Sequence, residues 1–404
     1  MEQENLIQKD SFIDYLKETP NFLSVFIFSV FFNIASLMLI DMGNSTGIRT
    51  TDLSLIFTFY TIGAVAGQLT SVLYNRKFSK IQVIIAGYIL SIPLIVIAVF
   101  NPNIYLFYVI YLVSGYLLGV IWIQANELIL ESRIKNKDRL ITILLTFYPI
   151  GALVSPLIAS SIIKSGLSWR FSYYVIIFLI VVNIGLYILL LGRKKGSLAS
   201  SKTEKVGLKE IFLNRTSNLI FLLVLIALIL YCCSETVIAT WAPTFFRLER
   251  GLDIQSAGFA LTIFWIFIVI GRIVALILAG KVKSTKMMIV LSCIAMVAAT
   301  VLVFVKKEYM IYVITAVAGL GYSALFPLLI STGSTLYKKG QGVLATFLFV
   351  GANIGLSSAP FLTKYLANIS MMLSLGIAAI IMAIVFLVLI AVNALYFKRA
   401  AQEN

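Results

Sequence analysis

Apolar residues fill this chain in long runs, and polar residues collect in the short gaps between them. Twelve runs stand out, near residues 21–42, 53–74, 81–100, 104–131, 140–164, 169–191, 217–246, 256–280, 286–305, 309–336, 342–367 and 371–397. Each is long enough to cross about 30 Å of hydrocarbon as a helix of about 20 residues. A helix is the expected form because it satisfies its own backbone, and hydrocarbon offers no other partner. The pattern predicts an all-α polytopic membrane protein with twelve transmembrane helices.

The longest polar connection, Arg193 to Arg215, contains RKKGSLASSKTEK and divides the runs six and six. The expected organisation is a cytoplasmic tail over 1–20, a six-helix bundle over 21–192, a linker over 193–216, a second six-helix bundle over 217–397 and a tail over 398–404. The two halves echo each other. Basic turns stand at equivalent places, YNRKFSK at Tyr74–Lys80 and GKVKSTK at Gly280–Lys286. Runs 5 and 11 both carry mid-helix glycine followed by proline, TFYPIGALVSP at Thr146–Pro156 and TFLFVGANIGLSSAP at Thr346–Pro360. Equivalent Gly/Pro-interrupted helices in two halves are the pattern of a transporter built from repeats, with two pseudo-symmetric bundles.

Composition agrees. Sixty per cent of the residues are apolar, 12% are charged and the mean hydropathy is +1.01, against about 25% charged in a soluble domain. The net charge of +15 sits in short loops, which argues for membrane orientation and against nucleic acid. Of the 32 Lys and Arg, twenty-three fall on the connections that share a side with the N-terminus and eight on the other side. By the positive-inside rule both termini are cytoplasmic, in the cell's inner membrane. Histidine is absent, and Cys232, Cys233 and Cys293 lie inside apolar runs without metal-ligand spacing. No cofactor or metal is expected. With no nucleophile–base pair and no phosphate loop, an enzyme is not expected either.

Two ionisable residues lie where a bilayer is most hostile, Glu235 in run 7 and Arg272 in run 8. Such groups face a partner or a wet cavity. They are either structural hydrogen-bonding groups in a bundle or the lining of a solute path. A carboxylate there is suited to carry a proton between two access states, so Glu235 is the first coupling candidate, with Asp41 and Glu127 secondary; Asp41 is equally read as a solvated helix end. Other mid-depth candidates for a solute site are Asn33, Tyr60, Trp122, Asn126 and Tyr148 in the first half. In the second they are Tyr231, Trp241, Trp265, Tyr322 and Asn353. Trp122 and Asn126 are four apart and share a helix face, as do Gly115 and Gly119. A ring with amides nearby suits a polar solute with an apolar side, such as a sugar. The bland reading of each ring is packing or an interface anchor.

The whole chain resembles the major facilitator superfamily: six plus six helices, a basic central loop, the basic turns, and WRFSYY at Trp169–Tyr174. Within it the chain is similar to the fucose–galactose–glucose:proton symporter family and its uncharacterised relatives. The likeness rests on RKFSK, QANE at Gln124–Glu127, TFYPIGA, YCCSETVIATW at Tyr231–Trp241, FWIFIVIGR at Phe264–Arg272 and GYSALFPLLISTG at Gly321–Gly333. The resemblance implies alternating access, with Arg76, Lys77 and Lys80 of the 2–3 turn in gating. The superfamily's acidic residue in that turn is missing; Asn75, Arg76 and Phe78 stand at the signature's places. The family's coupling carboxylates in helices 1 and 4 do not carry over, because Asn33 and Trp122 stand there. Glu235 matches an acidic position of some relatives.

The expectation is a monomeric secondary transporter of a small polar, sugar-like molecule. Protons and the lipid bilayer are its other partners. An organic anion or siderophore held by Arg272, or multidrug-type efflux, is the alternative.

Overall fold

The computed structural model describes residues 12–75, 77–100, 103–132, 134, 137–191, 215–278, 281–336 and 341–403. All twelve expected helices are present. They are α1 (Thr19–Thr46), α2 (Leu55–Tyr74), α3 (Lys80–Phe100), α4 (Ile104–Leu130), α5 (Lys137–Lys164) and α6 (Arg170–Leu186). In the second half follow α7 (Arg215–Glu249), α8 (Ile254–Leu278), α9 (Ser284–Phe304), α10, α11 (Gln341–Ala367) and α12 (Met371–Glu403). Three helices are irregular. A single turn, Thr50–Leu53, precedes α2; α6 runs on as a π-helical turn, Tyr187–Leu191; and α10 is broken into Glu308–Tyr322 and Leu325–Ser334. Eleven are long and apolar enough to cross a membrane by composition, and α11 matches them in length with 27 residues. The expected linker, apart from its last two residues, and most of the N-terminal tail lie outside the described residues.

Local chemistry sets the boundaries. Pro20 stands in the first turn of α1, where a missing N–H costs nothing, and Gly47 ends the helix at φ 73°, a left-handed conformation that favours glycine. Asn103 caps α4, its side chain accepting from the backbone N–H of Tyr105 and Leu106. Prolines 149, 156 and 360 lie inside α5 and α11, as neighbouring helices in a membrane bundle permit.

The helices pair in two identical sets. In the first half α1 packs on α5, α4 and α6, α4 on α2 and α3, and α3 on α6. In the second half α7 packs on α11, α10 and α12, α10 on α8 and α9, and α9 on α12. Each pairing is reproduced by adding six. The repeat seen in the sequence is therefore a repeat of packing, two six-helix bundles. The contacts between bundles obey the same symmetry: α2 meets α11, α5 meets α8, and α1 meets α7.

Hydrocarbon does not drive apolar helices together, so close backbone approach and polar bonds must. Both are present. A Cβ added at Gly115 on α4 would lie 2.1 Å from the Tyr60 carbonyl oxygen on α2, and one at Gly355 on α11 would lie 2.2 Å from the Ile229 carbonyl oxygen on α7. Inside the first bundle, the Tyr88, Tyr187 and Asn183 side chains converge on the Ser24 hydroxyl at 2.9–3.1 Å, zipping α3 and α6 to α1.

Gly115→Ala is expected to destabilise the purified protein by about 1–3 kcal/mol, because the Tyr60 backbone must shift. Gly185→Ala, with nothing within 4 Å of its new methyl, is expected to leave the melting temperature unchanged or slightly raised. Thermal melts in one detergent check the pair, and equal losses would refute the close-approach account.

Candidate functional site

Aromatic and polar side chains meet at the seam between the bundles. On α1, the Phe28 ring lies 4.9 Å from Trp122 of α4, 5.4 Å from Tyr60 of α2 and 6.3 Å from Tyr148 of α5, between centroids. Tyr148 touches Trp122 at 6.0 Å and reaches across the seam to Trp265 of α8 at 6.3 Å. Ser29 donates to the Tyr148 carbonyl at 2.6 Å, and the Asn33 amide nitrogen donates to the Ser29 carbonyl at 2.9 Å. This ties α1 to α5 at the level of the cluster.

The second bundle supplies the charge. Glu235 of α7 and Arg272 of α8 are half-buried, and both act electrostatically on the Tyr148 phenol of the other bundle. Glu235 also has Arg272 and Tyr231 as its electrostatic neighbours. Among the described residues these two charges do not approach to ion-pair distance. Arg272 Nε instead donates to the Ser323 carbonyl at 3.1 Å, at the break in α10. A broken membrane helix is tolerated where protein side chains reclaim its backbone groups, and Arg272 does so here.

Several expected site residues are used differently. Trp241 faces α12, not the seam: it is 1% exposed and its indole N–H donates to Ser374 at 2.5 Å. Tyr322 is buried against α7, with its hydroxyl 2.5 Å from Ser234 and its carbonyl accepting from Tyr231. Tyr60 is buried and donates to the Phe28 carbonyl at 3.1 Å. The amides of Asn126 and Asn353 donate to carbonyls one turn back on their own helices. Two cavities lie away from the cluster. One of about 380 Å³ lies between the ends of α9, α10 and α12 beside Lys283, Thr332 and Asn393. Another of about 350 Å³ lies beside Asp41 and Trp169.

Polar bonds hold the seam shut on one side. Asp41 is not a solvated helix end; Arg247 of α7 grips it with Nη1 at 2.6 Å and Nη2 at 3.3 Å, and Nη1 also donates to the Leu37 carbonyl at 3.1 Å. Lys364 of α11 pairs with Asp52 at 3.0 Å, and Arg49 supports Asp52 at 2.8 Å. Thr58 donates to the Ser357 carbonyl at 2.9 Å, Ser357 donates to Thr61 at 2.8 Å, and Lys164 donates to Gln255. These bonds, and that of Thr262 donating to the Leu153 carbonyl at 3.4 Å, lie in the half of the molecule away from the chain termini. On the terminal side one cluster of charges stays within the first bundle. Lys80 of α3 pairs with Glu127 at 3.0 Å and with Glu131, and Asn75 donates to Glu127 at 2.9 Å. Lys77 is exposed, and Arg76 lies outside the described residues.

Phe28 was invisible in the sequence, one of two rings in the apolar run Val25–Phe28. Arg247 and Lys364 read in the sequence only as two of the eight basic residues on the side away from the N-terminus, and nothing there singles out Asp52. The available signal was an acid and a base near equivalent helix ends, but pairing them required knowing which helices face across the seam.

Two packing repeats around a charged, aromatic seam define a membrane transporter. The profile of the Major Facilitator Superfamily matches residues 22–360. Over 358 residues the chain is 21% identical to the Protein TsgA homolog of Buchnera aphidicola, covering 85% of this chain and 88% of the relative. Over 339 residues it is 23% identical to the glucose/mannose transporter GlcP of Bacillus subtilis, covering 81% and 82%. Among solved structures, the nucleoside transporter NupG superposes with a TM-score of 0.73 at 11% identity over 96% of this chain and 99% of that one. A D-xylose–proton symporter gives 0.73 at 14% identity over 94% and 97%. The chain belongs to the major facilitator superfamily.

Asp41→Asn and Arg247→Gln are each expected to cost about 1–3 kcal/mol, as part-buried, charge-assisted bonds do. The double variant is expected to be no less stable than the worse single. Denaturation of all four proteins checks this, and simple additivity would show that the pair is not coupled.

Proposed function

We propose that this chain is a proton-coupled secondary transporter of a small polar, sugar-like metabolite, working by alternating access. The observation that carries the reading is Glu235. It stands mid-helix and half-buried, near enough to Arg272 on its own side and to the Tyr148 phenol on the other for the charges to be felt. An ionisable group at that depth is a functional group by default. Its position lets one protonation event bear on both bundles.

The other observations supply the moving parts. The rings of Phe28, Trp122 and Tyr148, tilted 45–80° to one another, form an apolar corner against which a sugar ring can lie. The basic loops orient both termini toward the cytoplasm, so the bonded half of the seam faces outward and the arrangement is inward-facing. Opening the other way requires the Asp41–Arg247 and Asp52–Lys364 pairs to part. Asp41 then serves the outer gate, not the proton path, and Glu127 with Lys80 braces the inner end of the first bundle. The names of two similar proteins, a glucose/mannose transporter and a D-xylose–proton symporter, support the solute class and the coupling ion.

A second reading, an organic anion as solute, is favoured by one observation. Among the described residues Arg272 has no carboxylate within ion-pair distance, and one carbonyl satisfies only its Nε.

Purified protein in liposomes tests both. Glu235→Gln is expected to abolish accumulation of labelled glucose or xylose driven by a pH gradient, by at least about tenfold, while exchange at equal pH persists. Full gradient-driven accumulation by the variant would remove Glu235 from coupling. If acetate-class anions compete and sugars do not, and Arg272→Gln ends uptake, the anion reading takes its place.

A further inference from the structure

Two buried polar atoms at the seam have no partner among the described residues. Asn33, on α1, is 0% exposed and its Oδ1 accepts no bond; Trp265, on α8, is 4% exposed and its indole N–H donates none. The Asn33 orientation is fixed, because its amide nitrogen is turned to the Ser29 carbonyl and hydroxyl at 2.9 and 3.3 Å. Leaving such atoms unpaired in a dry interior costs free energy. This protein avoids that cost at its other buried indoles. The other two deeply buried indoles are satisfied, Trp169 by Ser45 at 2.7 Å and Trp241 by Ser374. Asn75, Gln124 and Asn183 also leave an amide oxygen unpaired, with the nitrogen tied inside the first bundle as that of Asn33 is; what sets Asn33 apart is its place beside Tyr148, which reaches across the seam.

The two seam atoms share a place and differ in everything else. Both border Tyr148: Asn33 through Ser29, which holds the Tyr148 carbonyl, and Trp265 through ring contact. They come from opposite bundles. One is an acceptor and the other a donor. A carboxylate can take the indole proton but offers none to Asn33. An ammonium can serve Asn33 but not Trp265. A hydroxyl does both.

We propose that Asn33 Oδ1 and Trp265 Nε1 are the specificity-determining pair of the solute site, and that they read the hydroxyl groups of an uncharged polyhydroxylated solute whose ring lies in the Phe28–Trp122–Tyr148 corner. The proposal rests on the reading of the seam as the solute site, but not on the proton role of Glu235. The solute completes bonds that neither bundle completes alone. Specificity of this kind is sharp, because an analogue without the hydroxyl leaves both protein atoms unpaired.

The test uses full-length protein in detergent, with Asn33→Leu, Trp265→Phe and Trp241→Phe as variants. Melting is measured alone and with millimolar D-glucose, D-mannose, D-xylose and their deoxy analogues. Without solute, Trp265→Phe is expected to melt at or above the wild-type temperature, since it removes an unpaired polar atom; Asn33→Leu also loses the bonds its nitrogen makes to Ser29 and is read by sugar affinity alone. Trp241→Phe, which loses the buried indole bond to Ser374, is expected to melt lower. With solute, the wild type is expected to be stabilised by at least one sugar and less by its deoxy analogue. The two seam variants are expected to bind that sugar at least about tenfold more weakly. A lowered melt of Trp265→Phe without solute would show that its indole N–H is partnered, and unchanged sugar affinity in both seam variants would show that they do not read the solute. A wild type that no sugar stabilises would overturn the solute class. Gradient-driven uptake that needs Glu235, together with normal binding by the seam variants, would sink this inference and leave the coupling role standing.

Discussion

Hydrocarbon gives a polar atom nothing to bond to, and this constraint arranges the whole molecule. It makes the backbone helical, since each helix closes its own hydrogen bonds. It also explains how helices without a hydrophobic driving force between them still assemble. Gly115 and Gly355 let backbones touch, and Ser24 gathers Tyr88, Tyr187 and Asn183 into one bonded knot between three helices. Where α10 breaks, Arg272 reclaims the Ser323 carbonyl. Polar groups in this protein are the adhesive, and apolar groups are the filling.

The same constraint gives the seam its character. Within each bundle, the pairing of α1 with α5 and α7 with α11, and every equivalent pairing, is dense. Between bundles, the bonded contacts are gathered on one side: Asp41 with Arg247, Asp52 with Lys364, and the Thr58–Ser357–Thr61 hydroxyls. These are exchangeable bonds near water, where partners can be traded at modest cost. Bundles that are internally glued and mutually latched are the physical basis of a rocking motion.

Several candidate residues could be named from the sequence because hydrocarbon makes polarity conspicuous. Glu235, Arg272, Asn33 and Trp265 stand out in apolar runs. Other expectations failed for a related reason. Trp241 and Trp265 are alike as residues in a run, yet the first points to Ser374 inside its bundle and the second to Tyr148 across the seam. Facing is set by helix rotation, and hydropathy in a segment that is apolar all round carries no information on rotation. Phe28 escaped notice for the same reason, although it is the ring that joins Tyr60, Trp122 and Tyr148.

The sequence by itself determined the solvent, the number and span of the helices, their six-plus-six repeat and the rarity of the charges within them. Each follows from the free energy of single segments in hydrocarbon, which is local and can be summed along the chain. The tertiary structure alone decided which polar atoms meet. Asp41 found Arg247, 206 residues away, and Lys80 found Glu127 within its own bundle, while Asn33 Oδ1 and Trp265 Nε1 found no partner. Those outcomes depend on the rotation and tilt of whole helices against one another, set by packing across the molecule and by nothing within a segment.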